Sequence, residues 1–197
     1  MALHVNKKGI RVLGIAESFT QEEEKSVLAG IVMRSDFVID GIAFDMITVG
    51  GLDATEGVFR VFDSLRRADI NVMMLNGCVI SWFNIIDIHA VYERLRIPLI
   101  CVTYEESEGL EGHIAAHFDA QEREVRIEAY RRLGIRVPVR LQSTFEVFLR
   151  FLGVERAEAA AVLKKFATHG KVPEPLRVAK IAARAALRTK CRMRNAN

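Results

Sequence analysis

The stretch ITVGGLDATEG, residues 47–57, divides the chain. Before it the sequence runs in short β-branched segments; after it apolar residues recur with helical spacing. Gly50 and Gly51 end a strand-like run, and a helical pattern starts within three residues. Asp53 stands where a helix N-cap belongs, and Glu56 follows three residues later. That spacing has two readings. One is a capping-box variant, in which each side chain satisfies a free backbone N–H. The other is a pair of carboxylates at a strand-to-helix turn, where α/β proteins set ligands and chemistry.

On the N-terminal side, residues 10–15, 26–33 and 37–49 read as three strands with short polar breaks, an antiparallel meander. On the C-terminal side, Ala54, Val58, Val61, Phe62 and Leu65 share one helical face. Residues 70–75 form a continuous apolar strand, 81–96 return to helical spacing, and 98–102 form another buried strand. The order β-β-β-α-β-α-β predicts a mixed sheet carrying helices. The remainder reads as mostly helical: 107–118, 120–133, 155–168 and a last helix from 173 to about 187. A short extra strand is expected at 137–141, and 144–152, with Phe145, Phe148 and Phe151, is expected to be buried. No repeat and no Ser/Gly/Pro-rich linker interrupts the chain. Residues 1–197 therefore read as a single domain, with a core at about 9–106 and a helical C-terminal extension at about 107–188.

Half of the residues are hydrophobic and 27% are charged, which excludes a disordered composition. No apolar run reaches the length of a membrane span, and the N-terminus lacks the apolar region of a signal peptide. Cys78, Cys101 and Cys191 are widely spaced, so neither a disulfide framework nor a CxxC metal pair is expected, and a reducing cytoplasm is the natural compartment. Net charge is +3 but lopsided: residues 1–120 hold 10 Lys and Arg against 18 Asp and Glu, and residues 121–197 hold 18 against 7. An acidic part suited to a metal joined to a basic part suited to phosphate is one reading; two complementary faces of a monomer or homodimer is the other.

The carboxylates at strand ends are Glu17, Asp53, Glu56, Glu105 and Glu106, with Asp87 in the helix after the fourth strand. Carboxylates with few His or Cys suit Mg²⁺ or Mn²⁺, and two such ions suit phosphodiester hydrolysis. His113 and His117, four apart, supply no HExxH glutamate and read as a helix-surface pair. No GxGxxG, GxxxxGK[ST] or GxSxG occurs. Arg177, Lys180, Arg184 and Arg188 recur every three or four residues as a cationic stripe, and Arg131 and Arg132 lie in a second basic stretch. Such stripes can track phosphates or simply face solvent. Trp82 and Phe83 offer either a stacking platform or a core contact.

Four separated motifs carry a family likeness: RVLGIAESF (11–19), ITVGGLDATE (47–56), the run from Leu75 to Asp87 with SWFNIID, and VPEPLRVA (172–179). Together they resemble an archaeal family of unknown function related in fold to endonuclease V, over nearly the whole chain. The resemblance implies a ribonuclease H-like α/β fold, a mixed five-stranded sheet of order 3-2-1-4-5 flanked by helices. Endonuclease V holds Mg²⁺ on an Asp at the end of the first strand, a Glu at the start of the first helix and an Asp at the end of the fourth strand, and cleaves inosine-containing nucleic acid. The similar positions here are Ala16, Glu56 and Asn76, so two of three carboxylates are replaced. Glu17 is one place displaced, and side chains alternate along a strand.

The expectation is a protein that binds DNA or RNA through Arg177, Lys180, Arg184, Arg188, Arg131 and Arg132, with a degenerate nuclease site at Glu17, Glu56 and Asn76. Glu17, Asp53 and Glu56 are the candidate ligands for Mg²⁺ or Mn²⁺. Two alternatives stay open: an active Mg²⁺-dependent endonuclease or ribonuclease with a reorganised carboxylate site, and a non-enzymatic small-ligand or structural module.

Overall fold

A computed structural model describes residues 9–141 and 145–195. The first three strands, β1 (Arg11–Ser18), β2 (Lys25–Arg34) and β3 (Ile39–Thr48), form the expected antiparallel meander. Helix α1 (Ala54–Leu65) crosses to β4 (Val72–Asn76), which lies parallel to β1 with Ile15 opposite Leu75. A two-stranded ribbon, β5 (Val79–Ile80) and β6 (Asn84–Ile85), precedes helix α2 (Ile88–Leu95) and strand β7 (Leu99–Thr103), parallel to β4. Then come α3 (Glu111–His117), α4 (Ala120–Arg132), β8 (Val137–Leu141), β9 (Phe145–Leu152), α5 (Arg156–Phe166) and α6 (Glu174–Asn195). The main sheet has the order β3-β2-β1-β4-β7-β9-β8. Its first five members are the 3-2-1-4-5 arrangement with the first strand central, and two antiparallel strands extend it.

Alternation along β1 feeds two cores. Leu13 and Ile15 pack with Val58 and Val61 of α1 and Val91 of α2. Val12 and Ala16 pack with Val162 and Phe166 of α5 and with Leu176 and Ala179 of α6. Each buried Leu, Ile or Val side chain contributes about 1.5–3 kcal/mol on removal from water, so these two faces hold the layers together. Two glycines make the approaches possible. A Cβ on Gly14 would lie 2.6 Å from Pro175 of α6, and one on Gly57 of α1 would lie 2.3 Å from Ile47 of β3. Gly57 is thus retained inside a helix despite a propensity cost of about 1 kcal/mol.

Three expectations are corrected. Residues 81–96 are not one helix. Ser81, Trp82 and Phe83 form the tip of the β5–β6 ribbon, and the helix begins only at Ile88, where the Asp87 carboxylate accepts from the His89 and Ala90 N–H groups. The segment 145–152, expected to be buried, is a strand of the sheet that is only partly so: Phe145 is 36% exposed. In a strand alternate side chains face one way, and the residues driven into the core are Val147 and Leu149, two apart, with Phe151 partly buried beside them. Residue 144 of that segment lies outside the described residues. Finally, Cys78 and Cys101 are joined as a disulfide, Cα atoms 6.4 Å apart, where spacing alone suggested free thiols. Parallel pairing of β4 and β7, with Leu75 opposite Cys101, brings together two cysteines that are 23 residues apart.

Candidate functional site

The turn between β3 and α1 is built by side chains from four elements. Asp53 occupies the N-cap position but does not cap: its side chain makes no cap hydrogen bond to the helix. Its carboxylate turns back instead and accepts from the Thr48 N–H at 3.0 Å, the Thr48 hydroxyl at 2.9 Å and the Asn84 amide at 2.7 Å. The cap is supplied from the ribbon, because Asn84 Oδ1 accepts from the Ala54 N–H at 2.9 Å. Asn84 Nδ2 also donates to the Thr48 carbonyl at 2.9 Å, and the residue is fully buried. Lys25 donates to Thr48 Oγ1 at 2.7 Å, with its Nζ 3.9 Å from Asp53. Burial pushes the Asp53 carboxyl up, but the hydrogen bonds from Asn84 and Thr48 outweigh it and hold the group below its usual 3.8. The capping-box reading of Asp53 and Glu56 is therefore replaced: Asp53 organises the turn, and Asn84 caps the helix.

The ribbon tip is strained. Ser81, Trp82 and Phe83 have φ of 45°, 60° and 61°, left-handed values that cost non-glycine residues about 1–2 kcal/mol each. Tertiary contacts hold it. The Ser81 carbonyl accepts from the Gly50 N–H at 2.8 Å, and the Ser81 and Ser26 hydroxyls meet at 2.6 Å in the core. Trp82 and Phe83 pack against His117, with ring centroids 5.0 Å and 5.8 Å away. The His117 ring is bonded to the His113 carbonyl at 2.7 Å, so this pair is a helix-surface contact. Arg126 of α4, 2% exposed, stacks 3.9 Å over Phe118 and donates to the Gly50 and Glu122 carbonyls. Burial lowers its pKa against the opposing pull of Glu122 and Asp119. Arg126 braces the turn from within and is not a surface cation.

At the C-terminal edge of the central strands, Ala16 is buried in the core beneath α6, and Asn76, half-buried, ends β4. Glu17 is 8% exposed; its Oε1 lies 3.4 Å from Lys180 Nζ of α6, and its Oε2 is buried without a hydrogen-bond partner. Glu56 is exposed on the first turn of α1. Asp87, besides capping α2, meets Arg132 at 3.1 Å. The structure thus sets Asp53 and Glu56 on one turn but does not gather Glu17, Asp53 and Glu56 into a ligand set. Among the described residues no group of three or more His, Cys, Asp or Glu is placed to hold a metal ion. The divalent cation implied by the resemblance does not fit these donors. One position is apolar, one is a neutral amide, Glu17 faces an ammonium, and the Asp53 oxygens are taken by Thr48 and Asn84.

The basic stripe is narrower than its spacing suggests. Arg177 is held by Glu174 at 2.6–3.0 Å and Lys180 by Glu17. Arg184 and Arg188 are exposed and carry no ion pair among the described residues. Arg131, 70% exposed, stands 3.9 Å from Glu111. Asn84, Lys25, Thr48 and Arg126 were missed as site residues. Only Asn84 carried a signal, as the polar member of the apolar run WFNII.

A mixed sheet with this strand order, flanked by helices, is a ribonuclease H-like fold, and comparisons with known proteins agree on that fold. The chain has the fold of endonuclease V from Streptomyces avermitilis, with a TM-score of 0.65 at 18% identity over 93% of this chain and 84% of that one. A protein of unknown function from Archaeoglobus fulgidus superposes with a TM-score of 0.74 at 26% identity, covering 90% of this chain and 98% of that one. The chain belongs to the family described as Endonuclease dU, whose model matches residues 8–187. A UPF0215 protein of Pyrobaculum calidifontis is 41% identical over 172 residues, 87% of this chain and 93% of that one. A second, of Pyrococcus horikoshii, is 30% identical over 186 residues, 92% and 94% of the two chains.

Proposed function

We propose that this chain is a nucleic-acid-binding member of its endonuclease V-like family whose nuclease site is degenerate. The observation that carries the reading is the edge of the central strands, where Ala16, Asn76 and the lysine-paired Glu17 leave Glu56 as the one exposed carboxylate at the α1 turn. Two missing negative charges weaken divalent binding, because affinity at such sites follows ligand charge. Nucleic acid is a fitting partner because solved endonuclease V with this fold has been captured with inosine-containing DNA. The exposed Arg184 and Arg188, with Arg131 and Arg132, provide the phosphate contacts. DNA and RNA both fit such contacts, which read backbone and not bases.

The family description favours a second reading, an active endonuclease acting on deoxyuridine-containing DNA with Glu56 at its centre. One experiment separates the two. Plain, inosine-containing and uracil-containing DNA and RNA are incubated with wild type and with Glu56→Gln, in Mg²⁺, in Mn²⁺ and in chelator. The degenerate reading expects binding at low salt and no metal-dependent cleavage. Metal-dependent cutting that Glu56→Gln abolishes overturns it in favour of the second reading. Absence of all binding at low salt overturns both.

A further inference from the structure

Glu17 is a buried carboxylate with one oxygen on an ammonium and the other on nothing. Buried carboxylates are stabilised by a paired cation. Here the cation is part of the chain: Lys180 reaches it from α6, 163 residues away in sequence. The Lys180 side chain is 36% exposed, so its ammonium has one side on Glu17 and the other towards solvent. Glu17 accepts one of its three N–H groups, and no other acceptor bonds it among the described residues. Asp53 differs: its oxygens are taken by Thr48 and Asn84, and Lys25 stands 3.9 Å away while donating to the Thr48 hydroxyl.

We propose that Lys180 is a tethered cation standing in the place of a divalent metal on Glu17, and that it holds a nucleic-acid phosphate without any metal ion. A divalent ion at Glu17 Oε1 would have to displace the lysine. The phosphate half of this inference rests on the nucleic-acid reading above; the cation half does not. An ammonium with free N–H groups facing solvent is a point charge suited to phosphate oxygen.

The test uses the intact chain. Mn²⁺ binding is measured by calorimetry on wild type, Glu17→Gln, Lys180→Met and the double variant, each checked for an unchanged thermal melt, with Lys180→Arg as a charge-keeping control. Wild type and Glu17→Gln should bind Mn²⁺ equally weakly. Lys180→Met should gain at least about tenfold in affinity, since a unit positive charge is lifted from the carboxylate. The double variant should lose that gain, and Lys180→Arg should show none. Mn²⁺ binding by wild type that Glu17→Gln removes overturns the proposal, as does a Lys180→Met variant that gains nothing. In parallel, a short single-stranded DNA is titrated at matched ionic strength in chelator and in Mg²⁺. Equal affinities are expected, with Lys180→Met weaker, its salt slope smaller by about one, and Lys180→Arg near wild type. Affinity that requires Mg²⁺ overturns the phosphate half. If no oligonucleotide binds, the nucleic-acid reading and the phosphate half fall together, while the Mn²⁺ arm still decides the tethered cation.

Discussion

Replacing Asn84 by Ala should destabilise the protein by about 3–4 kcal/mol, because one buried amide serves three partners. It accepts from the Ala54 N–H, and it donates to the Thr48 carbonyl and to the Asp53 carboxylate. Loss of the helix cap costs about 1 kcal/mol. Loss of a hydrogen bond to a charged group costs about 1.5–3 kcal/mol, and of one to a buried carbonyl about 1 kcal/mol. The sum lies somewhat above the forecast, since water entering the vacated space can satisfy part of the set. In a chain of this size that loss lowers the melting temperature by about 6–16 °C. Thermal unfolding followed by circular dichroism at pH 7 measures it. Asn84→Asp adds a signature that packing alone would not produce. It sets a second carboxylate against Asp53, so one of the two must hold a proton in the folded state, with its pKa raised above the unfolded value. That variant should gain stability as pH falls from 7 to 5, while wild type should not. An Asn84→Ala loss below about 1 kcal/mol, or an Asn84→Asp melt that ignores pH over this range, refutes the account of the turn.

Further outcomes follow from the same structure. The Cys78–Cys101 disulfide spans 23 residues of sequence, so reduction should cost about 3 kcal/mol of stability, or about 6–12 °C in melting temperature. Alkylation under denaturing, non-reducing conditions that labels both thiols refutes the pairing. Asp40, Asp53 and Asp69 are each held below their usual 3.8. Burial raises Asp40, but hydrogen bonds from Arg11 and Arg67 outweigh it; Asp69 is pushed down to about 2, first by its hydrogen bond from Arg67. Depressed folded pKa values give stability that is full above the unfolded value and lost as pH falls through the folded one. The melting temperature should therefore hold from pH 7 to pH 5 and drop between about pH 4 and pH 2, less steeply in Arg67→Ala. The single tryptophan, Trp82, sits half-buried on the strained ribbon tip beside Gly50. Its fluorescence should change on titration with single-stranded DNA at low salt and should recover on adding salt; a flat titration alongside measurable binding places the nucleic acid elsewhere.

Local pattern carried much of the fold. The short β-branched runs of β1, β2 and β3, separated by short polar breaks, specify a meander, and the shift to helical spacing after Gly51 marks α1. Replacement of two expected carboxylates by Ala16 and Asn76 was also legible, since it needs only residue identity. The strand at 145–152 was not, because its pairing with β7 lies in distant sequence and residue type alone suggested burial for Phe145, which is exposed. The ribbon tip was hidden for a related reason: nothing in Ser81-Trp82-Phe83 announces left-handed backbone, which is imposed by Gly50, Ser26 and His117.

The stretch 47–57 shows the division most clearly. Sequence alone placed a strand end, two glycines, and a helix opening at Asp53, because propensity and turn chemistry act over a few residues. Which side chain satisfies the first helical N–H was decided only when the chain closed, by Asn84 arriving from 30 residues beyond Ala54. The same holds for Glu17. Its carboxylate was visible in the sequence, but its partner, Lys180, became its neighbour only when α6 packed across β1. Charges separated by most of a chain interact through space, and only the tertiary structure sets that distance.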